Sequence, residues 1–249
     1  MWHDVVDLRD FYETRLGAVT RRVVRREVRA LWPDVAGQRI LGLGYATPYL
    51  RQFLAEAERV LAFMPSSKGV VHWPPDGRGL TALVDEAELP LPDFSIDRVL
   101  LVHGLESSEV LRDMLREVWR VLTGDGRLLV IAPNRSGIWA RLDRTPLGWG
   151  EPYSTGQLSR LLRDNMFTPT RSSRALYVPP LRSHAFLRSA PVWERIGSRW
   201  FPTFGGVVAV EAGKQLYAAN LQAERKRFRR PIVVPFSRPV RPAHSGRVT

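Results

Sequence analysis

Two glycines separated by one residue follow the first short apolar segment of the chain. Gly42 and Gly44 come at the end of that segment, and Tyr45 and Ala46 continue the turn. A Gly-x-Gly turn after a strand lets the backbone come close to a ligand at the carboxyl edge of a parallel sheet. The turn therefore predicts a ligand site at this edge.

The same turn does not fit a dinucleotide-binding fingerprint. Thr47 stands at the position of the third glycine, and Phe63 and Met64 end the next apolar segment, where an acidic residue would bind a ribose. In addition, no tyrosine is followed by a lysine four positions later. These observations argue against a nicotinamide-dependent oxidoreductase.

Ionisable residues follow two further apolar segments. Asp85 and Glu86 come after the third segment, and His103 ends the fourth. Asp85 is interpreted either as a ligand-binding acid or as an acid that caps a loop turn. His103 is interpreted either as a general base or substrate-orienting group, or as a buried, hydrogen-bonded histidine.

Several chemistries are excluded by missing residues. The chain has no cysteine, which excludes disulfides, thiolate metal ligands and cysteine nucleophiles. His3, His72, His184 and His244 show no metal-ligand spacing, so no metal site is predicted. The Gly-x-Ser-x-Gly elbow of hydrolases is also missing. Oxygen, nitrogen and backbone groups remain to carry any chemistry.

Short apolar segments alternate with helical patterns along the chain. Nearly continuous apolar strands are typical of a parallel sheet covered by helices on both faces, so an α/β fold is predicted. Helices are predicted over residues 15–29, 49–57, 110–122 and 155–165, with one or two short ones within 179–204. The predicted strands are residues 39–43, 60–63, 80–84, 97–103, 127–131, 174–177 and 207–212.

The net charge of +12 in 249 residues is concentrated in two segments. Residues 15–29 hold six Arg and one Glu, and residues 220–249 hold eight Lys or Arg and one Glu. The first is either a solvated face of a core-packed helix or a phosphate-binding face. The second, rich in Pro and Arg, is either a solubilising tail or a tail that makes weak contacts with nucleic acid. The remaining chain is nearly neutral.

An ordered set of motifs between residues 35 and 135 resembles a known family. An acidic-Leu-Pro loop over residues 85–93 precedes the fourth strand, and Arg120-Val121-Leu122 is followed by Gly126 after three further residues. This order resembles the class I S-adenosylmethionine-dependent methyltransferases, in their small-molecule type. The resemblance extends more loosely to about residue 217, because residues 206–212 look like the last strand of that fold.

The resemblance implies a Rossmann-like sheet of seven mostly parallel strands with helices on both faces, the last strand being antiparallel. It implies S-adenosylmethionine as cofactor, with Gly44, Tyr45 and Ala46 in the turn that holds its methionine part. Asp85, with Glu86 beside it, matches the acid on the adenine side. His103 falls where the fourth strand meets the cofactor and the substrate.

Three positions depart from the family pattern. Gly42 stands where an acid is usual, Pro48 replaces the third glycine of the turn, and Met64 replaces the acid that binds the ribose hydroxyls. Carboxylate hydrogen bonds to a ribose contribute roughly 1.5–3 kcal/mol each, so the cofactor motif is degenerate. The predicted function is methyl transfer from S-adenosylmethionine to a small-molecule substrate. The alternative is a methyltransferase fold that has lost the cofactor and serves as a scaffold or nucleic-acid-binding protein.

The predicted organisation has three parts. Residues 1–34 form a basic amphipathic helix packed on the core, residues 35–222 a methyltransferase-like domain, and residues 223–249 a basic tail. A Gly, Pro and aromatic segment over residues 145–154 is interpreted as a substrate lid or as a packed loop. No apolar run approaches the roughly 18 residues of a membrane span, and no secretory signal is apparent, so a cytoplasmic protein is expected.

Overall fold

A computed structural model describes residues 4–181 and 183–215 of the chain. Its seven strands form one sheet in the order β3-β2-β1-β4-β5-β7-β6. The strands β1 to β5 are parallel to one another, and β7 runs antiparallel between β5 and β6. The strands are β1 (Arg39–Gly44), β2 (Arg59–Pro65), β3 (Thr81–Val84), β4 (Ile96–Val102), β5 (Leu122–Pro133), β6 (Phe167–Ala175) and β7 (Val207–Lys214).

Helices cover both faces of this sheet, which confirms the predicted fold class. Successive residues of β1 point to opposite sides, because Ile40 belongs to one buried cluster and Leu41 to the other. The first cluster includes α1 and α2, and the second includes α4 and α5. The helices are α1 (Val5–Glu13), α2 (Arg15–Leu31), α3 (Thr47–Leu50), α4 (Leu111–Val121), α5 (Thr155–Asp164), α6 (His184–Arg188) and α7 (Ala190–Trp200).

The first 34 residues contain two helices where the sequence predicted one. Thr14 separates them: its side chain accepts a hydrogen bond from the Gly17 amide at the start of α2, and its own amide donates to the Phe11 carbonyl at the end of α1. The predicted amphipathic helix is α2, which buries Val24 and Val28 on the core side. Both helices pack into the same buried cluster as β1.

Two predicted elements need correction. The sixth strand was placed at 174–177 but is Phe167–Ala175, a mostly polar strand at the edge of the sheet. An edge strand does not bury both faces, so it lacks the continuous apolar signal. The helix predicted over 49–57 is only α3 and a 3₁₀ turn, Arg51–Phe53. The backbone after it bonds elsewhere, since the Glu56 carbonyl accepts from Gly37 and the Glu58 amide donates to Gln38.

The predicted domain boundary at 222 and the basic tail 223–249 fall outside the described residues. Within the described ranges, no helix is both long enough and apolar enough to cross a membrane.

The sheet order places a switch point between β1 and β4. β1 pairs with β2 on one side and with β4 on the other, and Gly44 lies opposite Val102 at their carboxyl ends. Clefts at such points are the usual ligand sites of open α/β sheets. The geometry there requires glycine at position 44, because its φ is +81° and an added Cβ would lie 2.3 Å from the Val102 carbonyl oxygen.

Candidate functional site

A cleft of about 570 Å³ opens at the carboxyl ends of β2, β3 and β4. This volume lies within the range of pockets that bind small molecules. Residues that follow these three strands line it, and α1 and the loop after β5 complete its walls. The lining includes Leu8, Pro65, Ser66, Ser67, Lys68, Asp85, Glu86, His103, Glu106, Ser107, Glu109, Val110, Pro146, Trp149 and Gly150.

Three of the sequence-predicted residues meet in this cleft. Asp85 and Glu86 follow β3, and His103 follows β4. Asp85 also caps its turn, because its Oδ1 accepts a 2.9 Å hydrogen bond from the Ala87 amide. Glu86 accepts a hydrogen bond from the Ser108 hydroxyl, which ties the loop after β3 to the loop after β4.

The other predicted residues lie outside the lining of the cleft. Gly42, Gly44, Ala46 and Met64 are packed inside the fold, and Met64 is only 1% exposed. An added Cβ at Gly42 would lie 2.5 Å from Leu50 Cδ1, so the volume of the usual acid is filled by a leucine. The fifth, Tyr45, lines a different cavity, and the roles of all five residues toward a cofactor stay predictions.

His103 is buried and both of its ring nitrogens have partners. It is 3% exposed and adopts a φ of +53°, which is uncommon for a residue with a side chain. Nδ1 lies 3.1 Å from Glu106 Oε1, and Nε2 lies 2.7 Å from the Tyr12 hydroxyl. The Lys68 ammonium donates to the His103 carbonyl, which holds this backbone conformation.

These contacts belong to a chain of hydrogen bonds that runs from Tyr49 to Glu106. The Tyr49 and Tyr12 hydroxyls are 2.7 Å apart. Burial raises the pKa of both tyrosines above the ordinary value, so both hydroxyls keep their protons. With the Glu106 carboxylate as acceptor, His103 Nδ1 donates to it, and Nε2 can then accept from Tyr12.

Glu106 was not predicted as a site residue, although it follows His103 by three positions. It is 7% exposed, and its Oε2 has no hydrogen-bond partner among the described residues. Burial raises its pKa, but the hydrogen bond from His103 and the positive charge of Lys68 outweigh burial, so the pKa is lowered. An anionic oxygen without a partner at a cleft wall is suited to hold a cationic or hydrogen-donating ligand.

The charges of the cleft are strongly unequal. Four carboxylates line it, from Asp85, Glu86, Glu106 and Glu109, against the single ammonium of Lys68. Burial lowers the pKa of Lys68, and the charges of Glu106 and Glu86 counter part of that effect. The cleft therefore favours a ligand with net positive charge and one anionic group.

The loop after β5 forms the outer wall, where the sequence suggested a lid or a packed loop. Pro146, Trp149 and Gly150 line the cleft. The Glu151 amide donates a 3.0 Å hydrogen bond to the Glu106 carbonyl. An added Cβ at Gly150 would lie 2.3 Å from that same carbonyl, so the loop is seated closely on Glu106.

Residues 41–130 match the family model described as a methyltransferase domain. Over these residues the chain is similar to a methyltransferase domain, and its fold is that of S-adenosylmethionine-dependent methyltransferases. The matched range includes β1 to β4 and most of β5, and therefore every cleft residue that these strands position.

Known proteins with a similar sequence or fold agree with this assignment. A ubiquinone/menaquinone biosynthesis C-methyltransferase of Rubrivivax gelatinosus is 28% identical over 207 residues, which are 79% of this chain and 77% of the relative. An S-adenosylmethionine-dependent methyltransferase of Thermotoga maritima has a similar fold, with a TM-score of 0.60 at 16% identity over 85% of this chain and 96% of that one. The 1,6-didemethyltoxoflavin-N1-methyltransferase of Burkholderia thailandensis, solved with S-adenosylhomocysteine, gives a TM-score of 0.52 at 17% identity, over 84% and 82%.

The methyltransferase domain implies S-adenosylmethionine or a related cofactor, and the cleft residues fit such a molecule. Its sulfonium and ammonium groups are positive, which suits the excess of carboxylates and the unpartnered Glu106 Oε2. Its carboxylate suits Lys68, and Ser66 and Ser67 offer hydroxyls just after the Met64 position. Among the described residues, no group of three or more His, Asp or Glu is arranged to hold a metal ion.

Proposed function

We propose that this chain transfers the methyl group of S-adenosylmethionine to a small-molecule acceptor bound in the cleft. The observation that carries the proposal is Glu106: a buried carboxylate with one free oxygen, on the wall of an acidic cleft. The methyltransferase domain and the fold of the relatives support the reaction class. When bound, the cofactor supplies a methyl group on a positively charged sulfur.

Each group of cleft residues has a separate role in binding the cofactor or the acceptor. Asp85 and Glu86 hold the adenosine side, as the resemblance implies, and Lys68 faces the carboxylate of the methionine part. Glu106 Oε2 faces the positive charge or accepts the proton that the acceptor loses. Methyl transfer by direct displacement depends mainly on alignment and on a deprotonated acceptor, so one carboxylate in the right place can suffice.

His103 acts through Glu106 in this proposal. Its Nδ1 bonds to Glu106 Oε1, so Oε2 is the carboxylate oxygen left for a ligand, while Tyr12 covers its Nε2. His103 can serve as a base itself only if α1 moves and Tyr12 leaves Nε2. The loop of Pro146, Trp149 and Gly150 covers the opening and would help to exclude water from the reacting atoms.

Isothermal titration with S-adenosylmethionine and S-adenosylhomocysteine tests the proposal. Saturable binding is expected, and Asp85→Asn or Glu86→Gln should weaken it by about tenfold or more, the value of one charge-assisted hydrogen bond. Glu88→Gln is the matched control, because Glu88 is an exposed acid of the same loop outside the cleft. Absence of heat at millimolar ligand with folded protein would contradict the proposal and favour a scaffold without cofactor.

A further inference from the structure

A second cavity, of about 400 Å³, lies on the other side of α1 from the acidic cleft. The two share no lining residue: Leu8 of α1 faces the cleft, whereas Arg9 and Tyr12 face the cavity. Helix α1 is thus a partition between them. The methyl-transfer proposal does not use this second cavity, although the family resemblance assigns one residue of its lining, Tyr45, to the turn that holds the cofactor.

Four arginines from three elements converge on the second cavity. Arg9 comes from α1, Arg21 and Arg25 from α2, and Arg51 from the 3₁₀ turn after α3. Among the residues that the structure describes, Glu13 is the one acid of its lining. Within residues 4–181 and 183–215, Arg21, Arg25 and Arg51 form no salt bridge, and Arg9 pairs only with its exposed neighbour Asp10.

The arginines of α2 differ in what they face. Arg29 pairs with Glu56 and lies over the Phe53 ring at 4.6 Å, so its role is structural. Arg22 and Arg26 are exposed and do not line the cavity. Arg21 and Arg25 stand one turn apart on the cavity side, where like charges repel each other unless an anion lies between them. The arginines of α2 therefore have three surroundings: Arg29 is paired within the fold, Arg22 and Arg26 face solvent, and Arg21 and Arg25 face the cavity.

Aromatic side chains form the floor of this cavity. Tyr45 is 5% exposed and Trp73 8% exposed, and both line it. Burial raises the pKa of Tyr45 to about 12, against the lowering effects of the Thr47 hydrogen bond and of the Arg9 and Arg21 charges. Flat aromatic surfaces next to guanidinium forks suit a planar ligand with an anionic substituent.

We propose that this second cavity binds a small organic anion, with Arg21, Arg25 and Arg51 on the anionic group and Trp73 and Tyr45 against a flat ring. The anionic group is a phosphate or a carboxylate, which guanidinium groups bind in the same bidentate way. A cavity of about 400 Å³ has the size of a small-molecule site, which favours a small molecule over a nucleic-acid strand. The proposal does not depend on methyl transfer, because the site lies outside the cofactor cleft.

Isothermal titration of the full chain with four probes tests this site. Phenyl phosphate and benzoate should bind saturably, and the tighter of the two identifies the anionic group. Inorganic phosphate should bind more weakly than phenyl phosphate because it lacks a ring, and neutral benzyl alcohol should not bind. Failure of both ring-bearing anions to bind at millimolar concentration would overturn the proposal.

Matched variants of α2 distinguish a specific anion site from a general attraction of anions to the basic helix. Arg21→Gln and Arg25→Gln should each weaken the preferred anion by about tenfold or more. Arg22→Gln and Arg26→Gln remove the same charge from the same helix and should leave the affinity nearly unchanged. All four arginines are exposed, so the variants should fold, which circular dichroism can check. Equal losses in all four variants would overturn the proposal.

Two competition measurements complete the test. Saturating S-adenosylhomocysteine should not displace the anion, and displacement would make the cavity part of the cofactor site. A single-stranded oligonucleotide should not compete at moderate salt. If it binds while the small anions do not, the surface is a nucleic-acid contact and the proposal fails. Failure of the methyl-transfer proposal would leave the anion titration unaffected.

Discussion

The cleft and the cavity on either side of α1 have opposite chemistry. Four carboxylates and one lysine line the cleft, whereas four arginines and one glutamate line the cavity. The cleft groups come from the carboxyl ends of strands, but most of the cavity groups come from helices and turns outside the sheet. Sheet topology therefore specifies the first site, and the docking of the two N-terminal helices specifies the second.

One side chain connects the two regions. Tyr12 lines the cavity with its ring and bonds with its hydroxyl to His103, which lines the cleft. A ligand on either side therefore contacts the same hydrogen-bonded chain. The contrast between the two regions can be tested with substitutions at residues on which both depend and at residues that belong to one of them.

Gly44→Ala should have the largest effect, because both regions depend on the junction of β1 and β4. The new methyl group would lie 2.3 Å from the Val102 carbonyl oxygen at a φ of +81°. The free energy of unfolding should fall by about 2–4 kcal/mol from strain and overpacking, with loss of both ligand affinities. Urea denaturation measures it. Gly37→Ala is the control, since Gly37 has a φ of +66° but open space around it, and an equal loss there would refute the steric explanation.

Glu106→Gln should weaken ligand binding in the cleft and leave ligand binding in the cavity unchanged. It keeps the shape of the side chain but removes the negative charge, so affinity for S-adenosylhomocysteine should fall by about 10- to 100-fold. Affinity for the anion in the cavity should stay unchanged. Titration of both ligands with one protein preparation measures the contrast. If only the thermal stability changed, Glu106 would be a structural partner of His103 and nothing more.

Tyr12→Phe should have a smaller effect, and it distinguishes the role of the Tyr12 ring in the cavity from the role of its hydroxyl at His103. The ring stays as a cavity wall, but His103 Nε2 loses its partner at 2.7 Å. We expect a loss of about 1–2 kcal/mol in unfolding free energy and a change in cofactor affinity, with anion affinity within about twofold. Tyr177→Phe is the control, because that hydroxyl donates to the exposed Pro202 carbonyl at 3.0 Å. Equal changes in both ligand affinities would show that the two regions are not separate.

The pH dependence of stability should give the smallest effect. The pKa of Glu106 is lowered from its ordinary 4.5 in the folded protein, so its contribution is complete above that value and is lost as the pH falls through the folded pKa. The difference in unfolding free energy between wild type and Glu106→Gln should therefore be constant near neutral pH and shrink below about pH 4.5. Urea unfolding over this range measures it. A difference that grew on acidification would mean that the folded pKa is raised.

The parts of the fold that were predictable are those buried on both faces. The strands β1, β4 and β5 each contain a run of buried apolar residues, and their bounds were predicted to within a few residues except at the start of β5. β6 was misplaced because an edge strand is largely exposed and carries polar side chains such as Thr168 and Ser172. The helix after β1 was predicted to be too long. Backbone hydrogen bonds to the loop before β1 end it early, and apolar periodicity carries no information about such contacts.

The candidate site was predictable only where a strand end determines it. Asp85, Glu86 and His103 were identified because parallel strands bring their carboxyl ends together. Glu106 could have been included, since an acid three residues after a histidine in a short turn lies on the same side. Tyr12 and Lys68 could not be found in this way, because their places depend on how α1 packs on the loop after β2.

The contact between Tyr12 and His103 also has a consequence for the order of folding. The two residues are 91 positions apart, and the Val5 amide likewise depends on the distant Lys68 carbonyl. Contacts of such separation cost loop entropy before they give any stabilisation. Helix α1 leaves the ribosome before β4, yet its contact with His103 can form only after β4 has joined the sheet. A nascent chain truncated before residue 103 should therefore expose the apolar side of α1, which makes this helix a natural binding target for chaperones during synthesis.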